Sequence, residues 1–128
     1  MTAGLGATTL ANKWLDMLRG VAFTAPAAAY VKLHVGDPGA SGTANPSAVV
    51  TRLAATITAA AAGSTGAISN APEFTMTATE TISHLSVWDA STAGNFLWSV
   101  ALTVSKSVVA TDILRLDTLG MALTPIAA

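Results

Sequence analysis

The chain has 128 residues, no cysteine, a formal net charge of −1, and 52% hydrophobic but only 10% charged residues. Ordinary domains carry about 25% charged residues, so this surface is rich in Thr, Ser, Ala and Gly, and part of it is expected to lie under partners. Six scattered Lys and Arg exclude a basic stripe for phosphate binding, and the missing cysteines exclude disulfides, thiolate chemistry and cysteine-based zinc sites.

One domain over 1–128 is expected from this length. Residues 1–5 lack a basic segment and an apolar run, so no signal peptide is expected. Residues 8–19 read as an amphipathic helix. Thr8 or Thr9 is placed to cap its free N–H groups. Leu10, Trp14, Met17 and Leu18 recur at i, i+4, i+7 and i+8 and share a face, while Lys13 and Asp16 lie off it. Gly20 supplies the stop. The helix is expected to pack on a sheet or a neighbouring subunit, with Leu10, Trp14 and Leu18 as its anchors.

Residues 21–28, with Pro26, lead to a strand over 30–35. Val31, Leu33 and Val35 take one face, and Tyr30, Lys32 and His34 the other. Gly36-Asp37-Pro38-Gly39 is a turn: Pro presets one dihedral and Gly supplies positive φ. Residues 40–47, with Gly42, Asn45 and Pro46, continue as a surface loop, and 36–45 are expected to reach outward. A weaker strand covers 52–58. Residues 53–72 carry no charge, but Leu53, Ile57 and Ile68 are their only large apolar side chains. That is too few for a spanning helix of about 20 apolar residues. Two Thr-rich strands joined by Gly63-Ser64-Thr65-Gly66 explain the stretch instead, with a short strand at 67–70.

In 73–79, Phe74, Met76 and Ala78 oppose Glu73, Thr75, Thr77 and Thr79. In 81–88, Leu85 and Val87 oppose His84, Ser86 and Trp88. Residues 89–95, from Asp89 through Gly94 to Asn95, read as a hairpin turn that also reaches outward. Residues 96–103 return with Phe96, Trp98, Val100 and Leu102 on one side, and strands at 111–117 and 119–124 finish the sheet. The pattern predicts a mainly β fold, an antiparallel β-sandwich or barrel over about 29–125 with one N-terminal α-helix.

No spacing in this chain carries a reaction. His34 and His84 with Asp37 or Asp89 match no metal-ligand motif, and both histidines are expected in structural roles on polar strand faces. There is no G-x-S-x-G, and Gly63-Ser64-Thr65-Gly66 lacks the spacing of a nucleophile elbow. Glu73, Glu80, Asp89, Asp112 and Asp117 form no sequence pair of the kind glycoside hydrolysis uses. Glu73 and Glu80 are expected at strand ends in solvent. The turn at Gly36 is no phosphate loop, because no Lys-Ser/Thr follows and no helix begins there. The chain is therefore read as a non-enzyme without catalytic residues, cofactor or metal. Trp14, Trp88 and Trp98 suit a core, a subunit interface or stacking on sugar rings. Trp88 and Trp98 flank the hairpin and are expected near each other on one face.

Three ordered segments are similar to those of a family of small phage virion proteins of the tail-fibre or minor tail type. Leu10-Ala-Asn-Lys-Trp-Leu-Asp-Met-Leu-Arg-Gly-Val-Ala-Phe-Thr-Ala-Pro-Ala27 resembles its N-terminal helix and F-T-A-P-A connector. Tyr30-Val-Lys-Leu-His-Val-Gly-Asp-Pro-Gly39 resembles its Y-V-x-L-H-x-x-D-P-G strand and turn. Ile82-Ser-His-Leu-Ser-Val-Trp-Asp-Ala-Ser-Thr-Ala-Gly-Asn-Phe-Leu97 resembles its I-T-H-F-G-x-W-D-A-x-x-G-G-N-L-L hairpin. The likeness spans nearly the whole chain. It departs after the loop, where Asn45-Pro-Ser-Ala-Val-Val-Thr-Arg52 keeps the arginine of a Tyr-Ala-Arg stretch and loses the Gly-Gly-Tyr before it.

The resemblance implies a virion component and no reaction. The expected protein is an accessory subunit on the particle surface, a capsid decoration or minor tail or fibre component, assembled in the bacterial host cytoplasm. It is expected to act by protein–protein assembly as a homo-oligomer, a trimer, with major capsid or tail proteins as partners and with neither nucleic acid nor membrane. Leu10, Trp14, Leu18, Trp88 and Trp98 are its expected interface residues. Gly36, Asp37, Pro38, Gly39, Asp89, Gly94 and Asn95 are its expected exposed loops. The alternative is a receptor-binding module for host cell-wall glycan, with Trp88 and Trp98 as the platform.

Overall fold

A computed structural model of the chain describes residues 3–65 and 68–123, at 64 and 65 the backbone alone. The strands are β1 Ala29–His34, β2 Leu53–Ala55, β3 Ala60–Ala61, β4 Ser64–Thr65, β5 Glu73–Thr75, β6 Glu80–Trp88, β7 Phe96–Val108 and β8 Ile113–Arg115. They form an antiparallel four-stranded sheet in the order β2-β1-β6-β7 and two ribbons, β3-β4 and β5-β8. The architecture is a mainly β sandwich with one short N-terminal helical segment, and not a closed barrel.

Register fixes which side chains share a face. Val31 lies opposite Leu53 and Val87, Leu33 opposite Leu85, and Val87 opposite Trp98. Alternation then puts Ala29, Val31, Leu33, Leu53, Ala55, Leu85, Val87, Trp98 and Val100 on one side. Phe74 and Met76 from the β5-β8 ribbon, Leu10 from the helical segment, Ile68 and Leu119 close over that side as one core. Phe74 and Met76 are fully buried, as their alternation predicts. The ribbon is longer than its strands, since Leu116 donates to the Pro72 carbonyl and Thr111 to that of Met76.

The helical segment covers residues 7–19, but it is not a uniform α-helix. A π turn at Ala7–Ala11 leads to α1 Asn12–Asp16 and a 3-10 turn at Met17–Arg19. Neither threonine caps it. Gly6 is the cap residue, and Thr9 Oγ1 donates instead to the Phe96 carbonyl, tying the segment to β7. Gly20 does end it, at φ 81°. Its N–H donates to the Met17 carbonyl and that of Val21 to Asp16, the two bonds of a Schellman closure. The changing turn type rotates the predicted stripe. Leu10 is buried and Trp14 half-buried, whereas Met17 and Leu18 point to solvent. Leu18 therefore does not anchor the segment on its own chain.

Other expectations need correction. Leu97 is an extra residue in β7, because Val87 pairs with Trp98 and Trp88 with Phe96. This bulge turns Phe96 to the opposite face from Trp98, so Trp88 and Trp98 lie on opposite sides of the sheet. A larger irregularity sets Ser83 of β6 against residues 102–105 of β7. Residues 119–123 form no strand: Leu119 enters the core, and the Leu123 N–H donates to the Gly63 carbonyl. Of the short strand expected at 67–70, Ile68 makes only a bridge to Ile57. Gly66, Ala67 and Thr124 lie outside the described residues. Among those described, no helix is long and apolar enough to cross a membrane.

Candidate interaction surfaces

The second face of the sheet carries Tyr30, Lys32, His34, His84, Ser86, Trp88 and Phe96. Sequence alternation makes it the solvent face. The structure covers much of it with the loop after β1, because the 36–45 turn folds back instead of reaching outward. Pro38 and Gly42 are buried, and Gly36, Asp37 and Gly39 are half-buried. Asp37 Oδ1 accepts the Gly39 N–H at 2.8 Å, and Asn45 Nδ2 donates to the Asp37 carbonyl at 2.8 Å. The Ala44 N–H donates to Pro38, that of Val35 to Asn45 and that of Ser47 to Leu33. Gly42, at φ 71°, lies directly on the Phe96 ring, leaving no room for a Cβ. Only glycine meets both conditions.

His34 fastens the loop from beneath. It is fully buried, with Nδ1 2.8 Å from the Ala44 carbonyl and Nε2 2.7 Å from Ser86 Oγ. A carbonyl only accepts, so Nδ1 carries the proton and Nε2 accepts from the Ser86 hydroxyl. Ser86 Oγ in turn accepts the Trp88 Nε1–H at 2.8 Å. Burial lowers the His34 pKa; the Ala44 carbonyl opposes this, and Lys32 adds to the lowering. Among the described residues no buried side-chain N or O lacks a partner. Glu80 fastens the far end of the loop. It is not a free solvent carboxylate, since it accepts from the Ser47 hydroxyl and from the Ala48 N–H at 3.1 Å.

The 89–95 hairpin is joined to this layer by Arg52. Its guanidinium lies 3.7 Å from the Trp88 ring centroid and donates to the carbonyls of Ala90 at 3.0 Å and Ala93 at 2.5 Å. The Trp88 and Phe96 rings meet edge to face, 5.7 Å between centroids. Asp89 closes the hairpin by accepting from the Asn95 backbone and side chain at 2.6 and 2.8 Å. Burial works to raise the Asp89 pKa, but the Asn95 hydrogen bonds outweigh it and hold the carboxyl below its usual value. Gly94 and Asn95 are exposed and Asp89 is half-buried. The product is a braced apex of two loops whose outer residues include Ser41, Thr43, Asn45, Ser91, Thr92 and Asn95.

A second surface has the opposite character. Leu15, Met17 and Leu18 in the helical segment, and Val21 just after it, are exposed apolar side chains, Leu18 at 87%. A cleft of about 540 Å³ lies between the segment, the connector and β2, lined by Leu10, Trp14, Phe23, Pro26, Ile57 and Met121 among others.

The predicted site residues thus divide. Leu10, Trp88 and Trp98 are buried in their own chain, Trp14 is half-buried, and Leu18 alone stands free. A buried Trp88 and Trp98 on opposite faces give no sugar-stacking platform. His34 and His84 are register partners across β1 and β6, yet both His34 nitrogens are engaged, and His84 Nδ1 lies 2.9 Å from Ser83 Oγ. Among the described residues no three His, Cys, Asp or Glu gather as a metal-binding group. Arg52, Ser86, Phe96 and Gly42 were not singled out as site residues. The spacing of Ser86 and Trp88 on one strand face was the available sign of a shared partner.

The molecule is thus a β sandwich with an apolar core on one face of its main sheet, braced loops on the other and exposed apolar side chains on its helical segment. Residues 6–124 match the family of Podophage GP4 fiber I protein gp80, and the chain belongs to that family. It is a fibre-type structural protein of a bacteriophage virion. Comparison with curated proteins returns no match.

Proposed function

We propose that this chain is a non-enzymatic accessory subunit of the phage fibre, a homotrimer assembled through its helical segment, with the two-loop apex turned outward. The observation that carries this reading is the run of Leu15, Met17, Leu18 and Val21 standing in water beside an apolar cleft. Contiguous exposed apolar surface of this kind marks contact with another chain, and obligate interfaces resemble a divided core. Family membership supports the fibre over the capsid as its place. The apex is small, polar and rigidly held, which suits contact made in many copies, where avidity replaces single-site affinity.

Analytical ultracentrifugation tests the assembly, and a trimer is the expected species. A monomer at micromolar concentration removes it. Gold-labelled antibody on purified particles tests the place. Label on the fibre or tail is expected; label over the head replaces this reading with a capsid decoration protein.

A further inference from the structure

We infer that His34 is an acid-sensitive latch for the 36–47 loop, holding the apex ordered while the imidazole is neutral and releasing it on protonation. This deepens the apex reading above and rests on it for its biological sense.

The geometry carries the latch. The hydrogen-bond chain from Trp88 Nε1–H through the Ser86 hydroxyl to His34 Nε2, and from Nδ1–H to Ala44, has one consistent direction. A proton on Nε2 makes that nitrogen a second donor facing Ser86 Oγ. The Ser86 oxygen then receives two donors, and its own hydrogen loses its acceptor in a fully buried place. The Ala44 bond survives protonation, but the cation it holds has no counter-charge. Lys32 stands on the same face of β1 and His84 opposite on β6, and both disfavour added positive charge.

The carboxylates nearby are committed elsewhere. Asp37, the loop's only one, accepts from Gly39; Glu80 accepts from Ser47 and Ala48; Asp89 accepts from Asn95 and interacts electrostatically with Arg52. His34 stands on the sheet, and the loop closes over it through the Ala44 carbonyl and the His34–Pro46 bridge. An imidazolium therefore gains water by lifting the loop, not by unfolding β6 and β7. Burial lowers the pKa of this group, in agreement with a structure that selects the neutral form.

The test uses the wild-type protein in solution. Long-range proton–nitrogen NMR should find His34 as the Nδ1–H tautomer, titrating below the ordinary imidazole value. Across the His34 midpoint, amide protection at Val35, Ala44 and Ser47 should fall about tenfold while that of β6 and β7 holds. An Nε2–H tautomer, loop protection that ignores the midpoint, or joint loss of loop and β6–β7 protection would each overturn the latch. His34→Gln removes the titration and should make loop protection independent of pH; a step that survives in this variant also overturns it. The readout is confined to the free protein. Antibody labelling of particles decides separately whether the apex faces outward, so either idea can fail alone.

Discussion

The two faces of the four-stranded sheet are buried by different means. On one, Val31, Leu33, Leu85, Val87 and Trp98 meet Phe74, Met76 and Leu10 in an apolar core. On the other, a loop covers His34, Ser86 and Trp88, and every buried polar atom is assigned a bond. Burial on the first face is driven by area and tolerates any similar volume. Burial on the second depends on particular partners, since one orphaned donor costs about 1–3 kcal/mol. The first face should therefore govern stability, and the second should govern order at the apex.

The largest expected effect lies on the first face. Phe74→Ala removes a fully buried ring between the ribbon and the sheet and should cost about 3–5 kcal/mol in denaturant unfolding. A shift below that range would mean that the β5-β8 ribbon can close over the gap. Gly42→Ala acts on the second face, setting a Cβ against Phe96 in a left-handed backbone. The expected loss is about 1–3 kcal/mol, with amide exchange raised first in 36–47. Equal loosening of the whole sheet would erase the distinction between the faces.

Smaller again is Arg52→Lys. Lysine keeps the charge and loses the planar fork that spans Trp88, Ala90 and Ala93. A stacked, hydrogen-bonded guanidinium of this kind is worth about 1 kcal/mol, and the loss should appear as faster exchange in the 89–95 hairpin. Unchanged hairpin protection would leave the bracing to Asp89 and Asn95. Acid gives a fourth measure. His34 has a native pKa below its unfolded value, so its contribution is complete above the unfolded value of about 6.5. It declines as pH falls towards the lowered native value. The corresponding fall in stability should vanish in His34→Gln.

The same contrast explains what could be read from sequence. Period-two alternation marks a face that meets apolar side chains, so Val31, Leu33, Phe74, Met76, Leu85 and Val87 were legible, and with them the mainly β class. Alternation is blind to a polar face covered later by a loop, because His34 and Ser86 have the pattern of solvent positions until Ala44 arrives from ten residues on. The Gly-Asp-Pro-Gly turn was legible as local chemistry, but its direction depends on Gly42 meeting Phe96, a contact across more than fifty residues. The bulge at Leu97 left no local mark, and it alone sent Trp88 and Trp98 to opposite faces. In the helical segment, a stripe drawn at 3.6 residues per turn fails once π and 3-10 turns flank α1.

That failure makes Leu18 the most discriminating residue with the smallest effect on the fold. It was expected to anchor the helix on a sheet or on a neighbouring subunit, and it stands 87% exposed on its own chain. Leu18→Ser removes little burial within the chain, so unfolding free energy of the isolated subunit should change by less than about 0.5 kcal/mol. If the helical segment is the assembly surface, the same substitution puts a hydroxyl into an apolar contact and should shift the sedimentation equilibrium towards monomer. A stable subunit with weakened association assigns Leu18 to the interface. Unchanged association moves the interface away from the helical segment. A destabilised subunit would mean that Leu18 packs on its own chain in solution, and that the stripe predicted from the sequence was right about its direction.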